Sequence, residues 1–237
     1  MHKIIFNFQY FIVGEKMPIP QNFSDLINIP DGLSFKKGID ISHYQGVISP
    51  ELWNDIISLG IEFVYLKSTE GTSTIDQLSL INSNSAKQKG LKIGFYHFGR
   101  PSGSGNSAIA DGELEAYTAF NNLKYLPNPD LPFMLDLEVN ALTQQDYLLW
   151  INSFINKFVG LNNNNDLIIY SRENFLDANL PPDHGLGQYK LWLSRYNNDY
   201  KVASNNIPQG WDDWIIWQFT STGLINGKNF DLDLMKV

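Results

Sequence analysis

From residue 38 onward, short apolar runs alternate with longer stretches whose apolar residues recur every three or four positions. That alternation is the signature of βα units around a mainly parallel sheet. Eight strands are predicted, at residues 38–42, 61–67, 91–98, 132–138, 166–171, 190–194, 214–219 and 230–234. Helices fit between the first five. Ser49 followed by Pro50 reads as an N-cap with proline in the first turn, and Gly60 closes that helix as Gly90 closes the next. Thr143 stands three residues before Asp146, a capping-box-like start, and Tyr147, Trp150, Phe154 and Phe158 follow at helical spacing as one core-facing stripe. The asparagine run at 162–165 reads as a loop. After residue 171 the helical period weakens, so the last three strands are expected to be joined by loops, including the polar stretch 197–210. The architecture implied is an α/β barrel, irregular in its second half, with no internal repeat.

The N-terminal part does not share this pattern. Residues 4–13 are the longest apolar run, but about ten residues fall short of the roughly 20 that span a bilayer, so no membrane anchor is expected. Asn7 and Gln9 interrupt the run and no small-x-small site follows it, which argues against a signal peptide. Gly14, Glu15 and Lys16 can be encoded by a purine-rich ribosome-binding sequence, so translation is expected to begin naturally at Met17. Residues 18–36, with Pro18, Pro20, Pro30, Asp31 and Gly32, read as an irregular lead-in. An extension at 1–36 and one domain at 37–237 is the expected organisation.

Composition narrows the chemistry. There are 17 Lys and Arg against 25 Asp and Glu in 237 residues, a net charge of −8, and no cysteine. The charge has the wrong sign for tracking a phosphate backbone, so no nucleic-acid partner is expected. Lack of cysteine removes disulfide scaffolds and thiolate metal sites. The histidines, at 2, 43, 97 and 184, show no ligand spacing, so neither a metal nor a cofactor is expected; His43 and His97 read as hydrogen-bonding residues beside strands. Aromatic residues make up 14% of a chain that is only 18% charged, which suits a ligand with stackable rings such as a sugar.

In a βα barrel, functional groups collect at the C-terminal ends of the strands. Asp136 and Glu138 fall at such an end, one residue apart, so their side chains share a face with Cα atoms about 6–7 Å apart. Asp40 lies near the end of the first strand and Asp231 in the last, neighbours if the barrel closes. Several carboxylates near one axis are costly unless they bind a metal, a cation-like transition state or one another's protons. Paired carboxyl groups are what glycoside hydrolysis requires, one protonating the leaving oxygen and the other serving the reacting centre. Glu70, in T-E-G, is a fifth candidate acid or a turn organiser, given Gly71 and Thr72. Tyr44, Tyr65, Tyr96, Tyr170, Trp192 and Trp217 accompany the acids. Trp217 reads as core, whereas Tyr96, Tyr170 and Trp192 suit cleft or core equally. With Tyr65, Glu70 and Gln218 they form the candidate sugar-binding set.

The motifs G-I-D-I-S-H-Y-Q-G (38–46), F-V-Y-L-K-S-T-E-G (63–71), G-F-Y-H-F (94–98), M-L-D-L-E (134–138), L-W-L-S-R-Y (191–196), W-Q-F-T-S-T-G (217–223) and F-D-L-D-L (230–234) closely resemble glycoside hydrolase family 25, the Chalaropsis-type lysozymes. The resemblance runs in order from about residue 37 to 237. It implies a modified, TIM-like barrel with five βα units followed by strands lacking regular helices, and cleavage of the β-1,4 bond between N-acetylmuramic acid and N-acetylglucosamine in peptidoglycan. Carried over by position, Glu138 becomes the general acid, Asp136 its partner, and Asp40 and Asp231 the other cleft acids. The resemblance favours a substrate-assisted route through the 2-acetamido group, with inversion through a bound water as the alternative. Tyr44 stands where such proteins often carry Trp, and Asp233 where Asn is common. Strand parity with Asp231 points Asp233 at the same cleft, where its charge is expected to raise the pKa of the acid.

Two other readings stay open on sequence alone. One is a peptidoglycan-binding module without activity, which the retention of all four acids opposes. The other is a chitinase-like barrel, which the lack of a D-x-x-D-x-D-x-E motif opposes. The expected setting is extracellular, or reached by lysis, phage or specialised secretion, with a monomer as the working unit.

Overall fold

The computed structural model describes residues 27 and 29–237. The apolar run at 4–13, the start at Met17 and most of the lead-in lie outside those residues. Nine strands occur among the described residues: β1 (Phe35–Ile41), β2 (Ile61–Glu70), β3 (Thr74–Ile75), β4 (Lys92–Phe98), β5 (Phe133–Asp136), β6 (Leu167–Ser171), β7 (Lys190–Ser194), β8 (Ile216–Ile225) and β9 (Lys228–Lys236). Their order is β1-β9-β8-β7-β6-β5-β4-β2-β3, and β1 also pairs with β2. Eight strands therefore close into a barrel, while β3 folds back on the end of β2. All neighbours from β1 through β2 and β4 to β8 are parallel; β9 runs antiparallel to both β8 and β1.

The predicted helices form for the predicted reasons. In α1 (Pro50–Ser58) the Ser49 side chain accepts from Leu52 N, and Pro50 opens the first turn. After α2 (Ser79–Gln88) and α3 (Asn106–Leu123) comes α4 (Gln144–Asn162), where Thr143 accepts from Asp146 N. Tyr147, Trp150, Phe154 and Phe158 are buried along α4, and burying each such side chain contributes roughly 1.5–3 kcal/mol. Helix α5 (Glu173–Asn179) follows β6 and completes the fifth βα unit, whereas α6 (Tyr200–Ser204) lies in the polar stretch expected to be a loop. Each buries one residue, Leu176 and Ala203, too little to leave a period in the sequence. β1 starts at Phe35, and Ile27 is buried in the core.

Alternation along the strands sorts side chains into two layers. Outward residues such as Ile39, Leu66, Leu135 and Leu232 form the main core with the helices. Inward residues Phe63, Tyr65, Met134, Ile168, Trp192 and Ile216 fill the barrel itself. Gly38 is required by this filling, because a Cβ there would stand 2.1 Å from the Phe63 ring. The β8–β9 hairpin turns on Asn226 and Gly227, with φ of 47° and 78°, the left-handed pair that a two-residue turn demands. No helix among the described residues is long and apolar enough to cross a membrane.

Candidate active site

Because β9 is antiparallel, its early residues lie at the barrel end where the parallel strands finish. Asp231 is in register with Asp40 on β1, and Asp233 sits one level lower, opposite Gly38 and Gln218. Asp136 closes β5 in register with Phe98 and Tyr170. Strand pairing stops there, so Glu138 stands just beyond the strand rather than on it as expected, although Leu137 N still donates to Tyr170 O at 2.9 Å. The four acids Asp40, Asp136, Glu138 and Asp231 surround one pocket of about 210 Å³, shared with Tyr96, Tyr170, Lys67, Tyr44, Tyr196 and Gln218.

Hydrogen bonds fix part of this wall. Gln218 Nε2 donates to Asp40 Oδ2 at 2.6 Å, while Gln218 Oε1 accepts from Tyr170 Oη at 2.8 Å and Ser194 Oγ at 3.2 Å. Lys67 pairs with Glu70, and Glu70 Oε1 in turn accepts from Arg100 Nε at 2.7 Å. Burial pulls the Glu70 pKa up, but Lys67 and then Arg100 outweigh it and hold the carboxyl below its ordinary range.

The pocket acids are pushed the other way. Burial, then the charges of Glu138 and Asp40, raise Asp136 well above the usual carboxylate range, with Lys67 opposing. Burial, then Asp231, raise Asp40 well up, against the hydrogen bond from Gln218. Glu138 is raised by burial against the charges of Arg172 and Lys67. Burial, with Glu138 adding, pushes Asp231 up to about 7. A carboxyl whose pKa is raised keeps its proton to higher pH, the condition for general-acid work.

The comparisons with known proteins agree on one family. The model for glycosyl hydrolases family 25 matches residues 39–228. The chain belongs to that family. It is 31% identical over 216 residues to Lysozyme M1 of Streptomyces globisporus, covering 87% of this chain and 69% of that protein. It is also 31% identical over 200 residues to the autolytic lysozyme of Clostridium acetobutylicum, covering 84% of this chain and 54% of that one. Among solved structures, the bacterial lysozyme from Streptomyces coelicolor superposes with a TM-score of 0.70 at 27% identity, over 85% of this chain and 92% of that one. The barrel is thus that of a glycoside hydrolase.

In this family 25 enzyme the sequence-derived residues separate into three groups. Asp40, Asp136, Glu138, Asp231, Tyr96, Tyr170 and Gln218 line the pocket. The hydroxyl of Tyr170 and the amide of Gln218 are engaged with each other and with Asp40, so they brace the wall. Glu70 sits behind it, holding Lys67. Tyr65 and Trp192, expected at the sugar, are instead fully buried in the barrel filling, with ring centroids 4.7 Å apart and Tyr65 Oη donating to Pro132 O. Their strand parity is inward, but they lie below the pocket. Asp233 also departs from expectation: it is fully buried beneath Asp40, and Glu138 is not among the groups it perturbs. His97 bonds Thr69 and Glu115, and His43 bonds Asp76, as hydrogen-bonding residues beside strands. Among the described residues no three acidic or histidine side chains are arranged to hold a metal ion. Lys67 and Tyr196 were missed. Lys67 shares strand parity with Phe63 and Tyr65, which was the available signal for an inward, pocket-facing lysine.

Proposed function

We propose that the enzyme hydrolyses the β-1,4 bond between N-acetylmuramic acid and N-acetylglucosamine in bacterial peptidoglycan. The observation that carries this reading is the convergence of four carboxyls from three strands and one strand end on a single pocket, in a family 25 barrel. Glu138 is the general acid. It is half-buried, its pKa is raised by burial, and it lies past the strand end where a leaving oxygen can approach. Asp136 serves the reacting centre. It lines the pocket at the end of β5, where a carboxyl oxygen can accept an N–H from the substrate. An acetamido N–H fits, and holding it aims the acetamido carbonyl oxygen at the anomeric carbon. That oxygen attacks as Glu138 gives its proton to the departing 4-oxygen; water then opens the oxazolinium ion and returns a proton to Glu138. Asp40 and Asp231 stabilise the positive charge that develops between them. Tyr96 supports a sugar face.

The substrate puts the work of the enzyme in the cell wall, reached by secretion, phage release or lysis, with a single chain as the working unit. The test is turbidity loss and product analysis on purified peptidoglycan with the protein and Glu138→Gln. New reducing ends on muramic acid, reduced about 10²–10⁴-fold in Glu138→Gln, are expected. Equal lysis by both proteins overturns the assignment. Retention at the muramic anomeric carbon is the expected stereochemistry; inversion replaces the acetamido route by direct attack of water.

A further inference from the structure

Asp233 is a buried acid that the reaction above does not use. It has no exposed surface, and neither carboxylate oxygen completes a regular hydrogen bond. The groups facing it come from every adjoining strand. Asp40 approaches from β1 and Asp231 from β9, both acids; Tyr65 lies on β2, Gln218 is in register on β8, and Trp192 reaches in from β7. No lysine, arginine or histidine is among them. The Trp192 indole N–H approaches Asp233 and opposes the rise in its pKa, but Nε1 completes no regular hydrogen bond. The Gln218 amide N–H goes to Asp40. Two carboxyl groups facing each other in an apolar interior repel when both are ionised and form a hydrogen bond when one is protonated.

The surroundings decide which one keeps the proton. Asp40 borders the pocket, is 8% exposed and accepts 2.6 Å from Gln218 Nε2, all of which favour its anion. Asp233 does not line the pocket, and neither of its oxygens completes a regular hydrogen bond. We propose that Asp233 is a positioning residue held as the neutral acid, its O–H donated to Asp40, which favours and orients the Asp40 anion until rising pH removes that proton. Burial first, then Asp40 and Asp231, push Asp233 well above the ordinary range, and the contact with Asp233 in turn favours the Asp40 anion. The fold therefore carries a titratable donor under its active site. An asparagine in the same place donates at every pH; an aspartate donates only while protonated.

The part of this inference that concerns catalysis rests on the proposed muramidase reading, whereas the location of the proton does not. Three measurements separate them. In the wild-type protein labelled at aspartate carboxyl carbons, the Asp233 signal is expected to keep its neutral-acid shift at least two pH units above the ordinary midpoint of about 4. Titration near that midpoint overturns the proposal. The Tm of Asp233→Asn minus that of wild type is expected to grow as pH rises from about 4 toward 8, because only the wild type must hold a proton against the solvent. A difference that does not vary with pH overturns it. On peptidoglycan, the ratio of Asp233→Asn to wild-type kcat/KM is expected to rise about tenfold per pH unit on the alkaline limb, the slope of one lost proton. Asp233→Leu, which has no donor, is expected to lose at least about tenfold at every pH. Parallel profiles, or no rescue by asparagine relative to leucine, overturn the positioning role. A wild type inactive on peptidoglycan refutes the muramidase reading and leaves the carbon shifts and Tm difference to decide where the proton resides.

Discussion

Lys67 is the cation that lines the pocket beside the acids, with Arg172 acting on Glu138 from outside it. The Lys67 side chain is only 8% exposed, its ammonium is held by Glu70, and it lies 4.8 Å from the centroid of the Phe98 ring. Its charge lowers the pKa of both Asp136 and Glu138. Replacing it by methionine keeps the stem and removes the charge, so both carboxyls move further up. The kcat/KM profile of Lys67→Met is therefore expected to shift to higher pH on both limbs by roughly one unit, or about 1.4 kcal/mol of lost stabilisation of each anion. A profile that only drops in height, without moving, contradicts the electrostatic role. Why this residue escaped the sequence reading, and why Tyr65 and Trp192 were placed at the sugar, has one cause. Strand parity tells whether a side chain points into the barrel, but not how far along the axis it lies. Lys67 is four residues beyond Phe63 and reaches the mouth; Tyr65 and Trp192 share the inward parity and stop short of it. Asp136 and Glu138 were legible because the strand ends immediately around them.

At the scale of elements, the β8–β9 hairpin does most to build the site, since it delivers Asp231 and Asp233 on an antiparallel strand beside β1. A slip of one residue in its register would turn both acids out of the barrel. Gly227 holds that register with φ of 78°, and a Cβ there would meet nothing within 4 Å. The cost of Gly227→Ala is thus conformational: about 1–2 kcal/mol, measured as a lower midpoint in urea at unchanged slope. An unchanged midpoint refutes this account of the turn. The strands and the four long helices were readable because each carries its own period or cap, as with Thr143 and the aromatic stripe of α4. The direction of β9 was not read, although Asn226-Gly227 between apolar runs is a hairpin signal. Helix α6 stayed hidden because a single buried residue makes no pattern.

For the whole molecule, the buried acids link stability to pH. Asp40, Asp136, Glu138, Asp231 and Asp233 all have folded-state pKa values above those of the unfolded chain, with Asp231 at about 7. Such groups bind protons more tightly when folded. Their contribution is fully present below the unfolded values of about 4 and is lost as pH rises through each folded value. Glu70 has the opposite sign: its lowered pKa stabilises above the unfolded value and is lost as pH falls. The net charge of −8 at pH 7 adds repulsion in the same direction as the buried acids. Two opposing slopes of unequal number set the maximum on the acid side. Thermal unfolding followed by circular dichroism is expected to give the highest Tm near pH 4–5, about where the unfolded carboxyls titrate, and a steady decline toward pH 8. The decline belongs to the active site itself, because each of these acids lines the pocket or, in Asp233, lies directly beneath it. A Tm that is flat or rises between pH 5 and 8 means that folding does not raise these carboxyl pKa values as a set. That result would remove the stability argument.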